Sequence, residues 1–268
     1  NNYLIYRRFL NNNKKLFIQK NFKTKNKILV ELFDFPASYI AFSYLANALK
    51  KKHKANIFSF RANYYSKIAL VKQIIKNHFV HSAMSFSRSI GSIGLIHPDL
   101  KESQEVKKIF NQLIKSINKK KDILDIKIYS IPVGDLIYDE FLARYNVGTV
   151  NIDDRRFSFF LKHSIKLFIF WYNKIQKKEV KALITSHTVY FIGMPARIAI
   201  YKNIPCYQLS WSSCSYLTRD YQTPFEVSKY IPKIYNKIPK PISKKLKKNA
   251  KDNIISDFLG IKKDKIPS

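Results

Sequence analysis

The residues best placed for chemistry fall in one stretch, Ala182 to Leu209. An apolar run, Ala182-Leu183-Ile184-Thr185, stops at Ser186-His187, and a short polar and aromatic segment leads through Tyr190 to a turn at Gly193. Pro195 suits the first position of a helix, where its missing N–H costs nothing, and a new apolar run begins at Cys206. Strand, loop, helix and strand in so short a span predict a βαβ unit with parallel strands. Open parallel sheets bind ligands beyond the carboxyl ends of their strands, which is where His187 and Tyr190 would sit. An imidazole there can take a proton from a sugar hydroxyl near neutral pH. The bland alternative is a histidine bonded to backbone that holds the loop. Arg197 falls in the first turn of the following helix, an unfavourable place for a cation unless it meets an anion. Its partner would be a ligand phosphate, or an aspartate such as Asp135 or Asp139.

Those aspartates belong to a second constellation, Gly134–Arg144. On a helix starting near Asp135, Asp135 and Asp139 share one face, while Ile137 and Phe141 lie on the opposite, core-facing side. Glu140 and Arg144 form an i,i+4 pair in the favourable order. Asp135 or Asp139, at the end of a strand, would be a general base; the alternative makes Asp135 a helix N-cap and Asp139 a first-turn carboxylate favoured by the helix dipole. A third segment, Ser87–Gly94, is rich in Gly and Ser, and Gly91 and Gly94 could line a phosphate cradle. It lacks both the dinucleotide-binding glycine order and the P-loop lysine. His53, His78, His81, His97 and His163 show no pair at metal spacing with a third ligand, so no metal site is expected. No Gly-x-Ser-x-Gly or Cys/His nucleophile pattern is present.

The elements that must position these residues alternate between two periods. Lys27–Phe33 and Ala55–Phe60 read as strands. Between them Pro36 and Ser38 open a helix with an apolar face at Ile40, Tyr44, Leu45 and Leu49. Tyr65–Asn77 reads as a helix, Val80–Phe86 as a third strand, and Ser103–Ile117 as an amphipathic helix capped by Ser103. Ile123–Ile131 reads as a further strand, and Phe157–Lys177 as a long aromatic-rich helix in which Ile165–Tyr172 is buried. Pro224, Pro232, Pro239 and Pro241 then suggest a linker before a last helix over Ser243–Leu259. This alternation predicts an α/β, Rossmann-like domain with a mostly parallel sheet. Its expected bounds are 27–220, after an N-terminal extension over 1–26. Residues 221–268 would be a linker and the start of a further domain. The chain opens without Met and stops in a Lys-rich stretch, so the native protein is expected to continue past Ser268.

The 268-residue chain carries a formal charge of +31, which invites a nucleic-acid reading. Of its 49 basic residues only nine are Arg, and the lysines are scattered. Nucleic-acid sites favour clustered Arg and aromatic platforms, so nucleic acid is not the expected partner. A Lys-rich surface would still be drawn to anionic lipid headgroups at about 1 kcal/mol per nearby Lys, an expectation of peripheral membrane contact. Two cysteines without framework or metal spacing suit a reducing compartment. No run reaches the ~20 apolar residues of a membrane span, and no signal-peptide order is present. The expected place is the cytoplasm, peripheral at the inner membrane.

Two patches together carry a resemblance. They are Val133-Gly134-Asp135-Leu136-Ile137-Tyr138-Asp139 with Leu142 and Arg144, and Thr185-Ser186-His187-Thr188-Val189-Tyr190 with Gly193 and Ala196-Arg197-Ile198-Ala199. They resemble the N-terminal half of bacterial capsule and surface-polysaccharide biosynthesis proteins of GT-B-like organisation. The resemblance implies an acceptor-side domain facing a donor domain, and glycosyl transfer from a nucleotide sugar to a glycan or lipid-linked acceptor. It implies no cofactor bound by this segment and no metal, the nucleotide sugar being the donor substrate. His187 or Asp135 would deprotonate the acceptor, and Arg197 and Tyr190 would position acceptor or diphosphate. Tyr138, Asp139, Arg144, Gly91 and Gly94 would line the substrate site. A nucleotide-sugar epimerase of the same organisation and a non-enzymatic basic module for polyanions are the alternatives.

Overall fold

The computed structural model describes residues 2–17, 21–33, 36–63, 83–210, 213–224 and 231–259. The chain divides into two compact units, Asn1–Thr223 and Pro224–Ser268. The first is built on a six-stranded sheet of order β3-β2-β1-β6-β7-β8. Its strands are β1 (Lys27–Glu31), β2 (Asn56–Phe60), β3 (Ser92–Ile96), β6 (Val180–Thr185), β7 (Cys206–Leu209) and β8 (Cys214–Leu217). All neighbours pair in parallel except β7 and β8. This is the Rossmann-like α/β architecture that the alternation of elements predicts.

Period-two alternation buries both faces of the sheet. Ile28 and Val30 of β1 and Ala182 and Ile184 of β6 enter one core with α1 (Asn2–Phe17), α2 (Tyr39–His53) and α3 (Ala83–Ser89). Leu29 and Leu183 enter the other. That second core is closed by α4 (Gln104–Ser116), α5 (Lys120–Leu124), α6 (Gly134–Tyr145), α7 (Arg155–Lys174) and α8 (Met194–Tyr201). Near-continuous apolar strands covered on both sides are the mark of parallel sheets. Ser103 caps α4 by accepting from the Val106 N–H, and Ile165, Phe168 and Trp171 of α7 are fully buried, both as the sequence suggests.

Several local expectations give way. The N-terminal residues set aside as an extension form α1. Its Tyr6, Phe9 and Leu10 pack on the core, and Asn13 donates to Ser43 and Ser89 at 2.9 and 3.2 Å. In α2 the buried stripe is Tyr39, Phe42, Ala46 and Leu49, while Ile40 and Tyr44 point outward, with Tyr44 against Phe17. The helix expected over Tyr65–Asn77 lies outside the described residues, as do positions 80–82 of the strand expected at Val80–Phe86. The rest of that segment is α3, because Ala83, Phe86 and Ile90 are buried at helical spacing. The third strand is instead β3. The strand expected at Ile123–Ile131 is α5 followed by a small hairpin, β4 (Lys127–Ile128) and β5 (Ile131–Pro132). Its turn residues Tyr129 and Ser130 both have positive φ, the requirement of a tight hairpin turn, met here without glycine and so invisible in the sequence.

Two glycines fix where helices start. A Cβ on Gly134 would lie 2.1 Å from the Ile123 carbonyl oxygen, and one on Gly193 would lie 2.2 Å from that of Thr188. Both clashes are with backbone, which cannot swing away. Gly193→Ala is therefore expected to destabilise the domain by about 2–4 kcal/mol, read as a lower urea midpoint. An unchanged midpoint would show that the approach to Thr188 is not tight.

The second unit contains α9 (Ile231–Tyr235) and α10 (Lys240–Phe258). Pro232 and Pro241 stand at the second positions of these helices, where no helical N–H partner is lost. The Tyr235 hydroxyl donates to the Ser243 carbonyl at 3.1 Å.

Candidate functional site

The strand order creates the site. From β1 the chain winds through β2 to β3 on one side, and from β6 through β7 on the other, so the two halves part between β1 and β6. Doubly wound sheets bind ligands at this switch point, outside the carboxyl ends of the strands. The last residue of β1 is Glu31, and the last of β6 is Thr185. Glu31 is 4 % exposed. Its Oε2 accepts from the Thr185 hydroxyl at 2.6 Å, the Ser186 N–H at 2.5 Å and the Ser186 hydroxyl at 2.9 Å. Burial raises the Glu31 pKa above the usual carboxylate value, while these bonds and nearby His187 pull the other way.

His187 is exposed, and its Nδ1 lies 3.2 Å from Ser186 Oγ. Since the Ser186 hydroxyl gives its proton to Glu31, its oxygen is an acceptor for Nδ1–H. That network assigns the tautomer and leaves Nε2 with a free lone pair. The result is a chain from His187 through Ser186 to a buried carboxylate, the arrangement in which an oriented imidazole works as a base.

The loop is held at both edges. Gln208 of β7 accepts from the Thr188 hydroxyl at 3.0 Å and donates to the Ser186 carbonyl at 3.1 Å. Tyr190, 39 % exposed, has φ 55° and ψ −163°, a region that non-glycine residues adopt at a cost of order 1–3 kcal/mol. Beyond it, the Phe191 N–H donates to Glu140 Oε2 at 3.2 Å, tying the loop to α6. A cleft of about 180 Å³ opens beside Glu31, lined also by Phe33, Arg61, Asn63 and Ile192.

The other residues singled out in the sequence take mostly structural places. Arg197 donates to both carboxylate oxygens of Asp135, at 3.0 and 2.6 Å, and to the Pro132 carbonyl at 2.8 Å. The Arg197 side chain is only 9 % exposed. Of the two partners weighed for it, the aspartate is the one found. Asp135 is thus the anion that meets both arms of the Arg197 guanidinium. Asp139 is exposed, its pKa raised by desolvation and by Asp135. Tyr138 reaches only the Thr149 hydroxyl, at 3.4 Å. Arg144 pairs with Glu140 at 2.8 Å and lies over the Phe160 and Phe191 rings. Gly91 forms the turn after α3 with φ +78°, and Gly94 lies within β3, where a Cβ would come 3.1 Å from the Phe58 ring. On the outer side of Phe191, desolvation and the charges of Arg144 and Lys166 hold His163 down at about 4.

Breaking the Asp135 pair leaves a buried guanidinium with one carbonyl. Asp135→Ala is expected to cost about 1–3 kcal/mol, below the figure for a fully buried pair because Asp135 is half exposed. Urea unfolding measures this. A substantially smaller loss would mean that water replaces the carboxylate.

Compared with known proteins, the chain matches no family model, no curated protein and no solved structure. Among the described residues no helix is long and apolar enough to cross a membrane, and no three His, Cys, Asp or Glu side chains are grouped as metal ligands.

Proposed function

We propose that this domain is the acceptor side of a glycosyltransferase of surface-polysaccharide biosynthesis, with His187 as its base. The observation that carries the reading is the His187–Ser186–Glu31 chain at the switch point between β1 and β6. His187 Nε2 removes the proton of an acceptor hydroxyl, and the oxygen attacks the anomeric carbon of a nucleotide sugar. The bond from that carbon to the diphosphate breaks, and the diphosphate leaves with the electron pair. In this reading the acceptor is a glycan or lipid-linked sugar, and the donor nucleotide is held by residues outside this domain. The place of work is the cytoplasmic face of the membrane, where the Lys-rich surface meets anionic headgroups.

The two patches of resemblance support the transferase class. The chain from imidazole to carboxylate supports a hydroxyl as the group activated. The test is transfer of labelled sugar from a panel of nucleotide sugars to membrane-derived acceptors by the complete protein, wild type against His187→Ala. No transfer from any donor, or transfer undiminished in the variant, removes this reading.

A further inference from the structure

The two sides of the sheet differ in charge. None of the 18 acidic residues falls in α1, α2 or α3, the helices that cover one side. On the other side, α4, α5 and α6 hold Glu105, Asp122, Asp135, Asp139 and Glu140. Before Asp99 the sequence has only Glu31, which is buried, and Asp34. The positive sign of the first side therefore does not depend on how any one segment within 35–98 is placed. There α1 contributes Arg7, Arg8, Lys14 and Lys15, and α2 ends in Lys51 and Lys52, all of them exposed.

The same surface is apolar as well as basic. Leu4, Ile5 and Leu16 of α1 and Ile40 and Tyr44 of α2 are each more than half exposed. They are not what holds α1 in place, since Tyr6, Phe9, Leu10 and Asn13 do that from its inner side. Phe17 lies edge-on to Tyr44 with ring centres 5.2 Å apart, so the outward flank of α2 adjoins α1. Large apolar side chains set among cations on an amphipathic helix are the composition of a helix that lies in a membrane interface.

One partner has to satisfy both properties. A second copy of this chain, presenting the same patch, would set like charges against each other. A nucleic acid would meet the cations and leave the aliphatic side chains in water. An anionic bilayer meets both, because its headgroups strengthen partition by about fivefold for each nearby cation and its acyl boundary takes up leucine and isoleucine.

The placement also suits the site. Tyr6 lies 6.3 Å from Tyr39 between ring centres, and Asn13 donates to Ser43 at 2.9 Å. With the Phe17–Tyr44 contact, these pairs make α1 run beside α2 in the same direction. The Tyr39 hydroxyl donates to the Phe33 carbonyl at 2.7 Å, just past the end of β1. Leu4, Ile5 and Ile40 are thus at the carboxyl end of the sheet, the end that carries His187.

We propose that the outer face of α1, with the adjoining flank of α2, docks this protein on an anionic lipid bilayer, with Leu4 and Ile5 entering the headgroup layer and the surrounding cations meeting lipid phosphates. The proposal deepens the membrane location of the transferase reading and rests on that reading only for a lipid-linked acceptor. Its test requires no donor and no turnover. The full chain is sedimented with vesicles of phosphatidylcholine alone and with vesicles of phosphatidylcholine and phosphatidylglycerol in equal parts. It is expected to bind the mixed vesicles and not the neutral ones. Arg7→Glu with Arg8→Glu should weaken binding about tenfold or more. Lys107→Glu with Lys108→Glu makes the same change of charge at exposed positions of α4, on the other side of the sheet, and should leave binding within about twofold. Leu4→Ser with Ile5→Ser should weaken binding about tenfold or more with the net charge unchanged. All these positions are exposed, so the urea midpoints should match wild type.

Equal binding to both kinds of vesicle, equal losses from the α1 and α4 charge reversals, or binding indifferent to Leu4 and Ile5 overturns the proposal. So does a dimer that the α1 variants dissociate, or preferential binding of single-stranded RNA that they abolish. The two readings fail separately. Vesicle binding through α1 without transfer from any donor removes the transferase and keeps the docking face. Transfer to membrane-derived acceptors together with vesicle binding that ignores every α1 variant removes the docking face and keeps the transferase.

Discussion

Replacing His187 by alanine is expected to lower sugar transfer by about 10²–10⁴-fold, the range that a positioned general base contributes, while leaving the unfolding midpoint within about 0.5 kcal/mol of wild type. The separation follows from exposure. The His187 ring is exposed and its one side-chain bond is to Ser186 Oγ, so its removal opens no cavity. Ser186 keeps its bonds to Glu31 through both N–H and hydroxyl, and Gln208 still clamps the loop. Ser186→Ala should cost less, about tenfold, because the imidazole stays in place and loses only the group that fixes its tautomer. Asp135→Asn should leave transfer within a few-fold, since the side chain holds Arg197 and is not in the chain of proton donors. The outcome that sinks this assignment is the reverse order, with Asp135→Asn inactive and His187→Ala active.

The site was half legible in the sequence. The βαβ unit over Ala182–Leu209 announced itself because an apolar run, a Ser-His pair, a glycine and a proline follow one another at the spacing a crossover needs. The Arg197–aspartate alternative was legible for a similar reason, since a cation in a helix's first turn needs an anion. The buried carboxylate was not picked out. Glu31 stands more than 150 positions from its partners Thr185 and Ser186, and only the parallel pairing of β1 with β6 brings them together. A signal did exist in the charge that interrupts Ile28-Leu29-Val30-Glu31-Leu32-Phe33, because an acid inside a strand buried on both faces needs donors to hold it. Gln208 carried no comparable signal, and Glu140 was legible only as the partner of Arg144, not as the acceptor that ties down the loop. The hairpin at Tyr129-Ser130 and the inward face of α2 show the other limit. Positive φ without glycine leaves no trace in composition, and two apolar stripes on one helix cannot be ranked before the sheet beneath them is known.

Glu31 itself gives the second large effect, in which Glu31→Gln and Glu31→Leu should move stability in opposite directions. Burial is the dominant influence on its carboxyl and raises the pKa. The folded protein then holds this proton more tightly than the unfolded chain does. By linkage, the contribution to stability is fully present below the unfolded value near 4.5 and is lost as pH rises through the raised folded value. On the alkaline side the ion is retained at a cost in fold stability, in return for an oriented His187. Glutamine keeps the shape, and its carbonyl can accept from the same donors without an ionised group. Glu31→Gln should therefore flatten the pH profile and, at pH 8, exceed wild type in stability, because it removes the cost of keeping a buried ion. Leucine removes the acceptor and leaves the Ser186 N–H and the Thr185 and Ser186 hydroxyls to find new partners, at about 1–3 kcal/mol for each left buried. Glu31→Leu should be less stable than wild type at every pH. Both variants should transfer sugar slowly, Glu31→Gln by about 10–100-fold, because the imidazolium formed at His187 loses its negative partner. Urea unfolding at pH 5 and pH 8 with transfer assays on the same samples decides it. If Glu31→Gln proves less stable than wild type at pH 8, the carboxylate is compensated in the folded protein, and Arg61 on the same cleft becomes the group holding it.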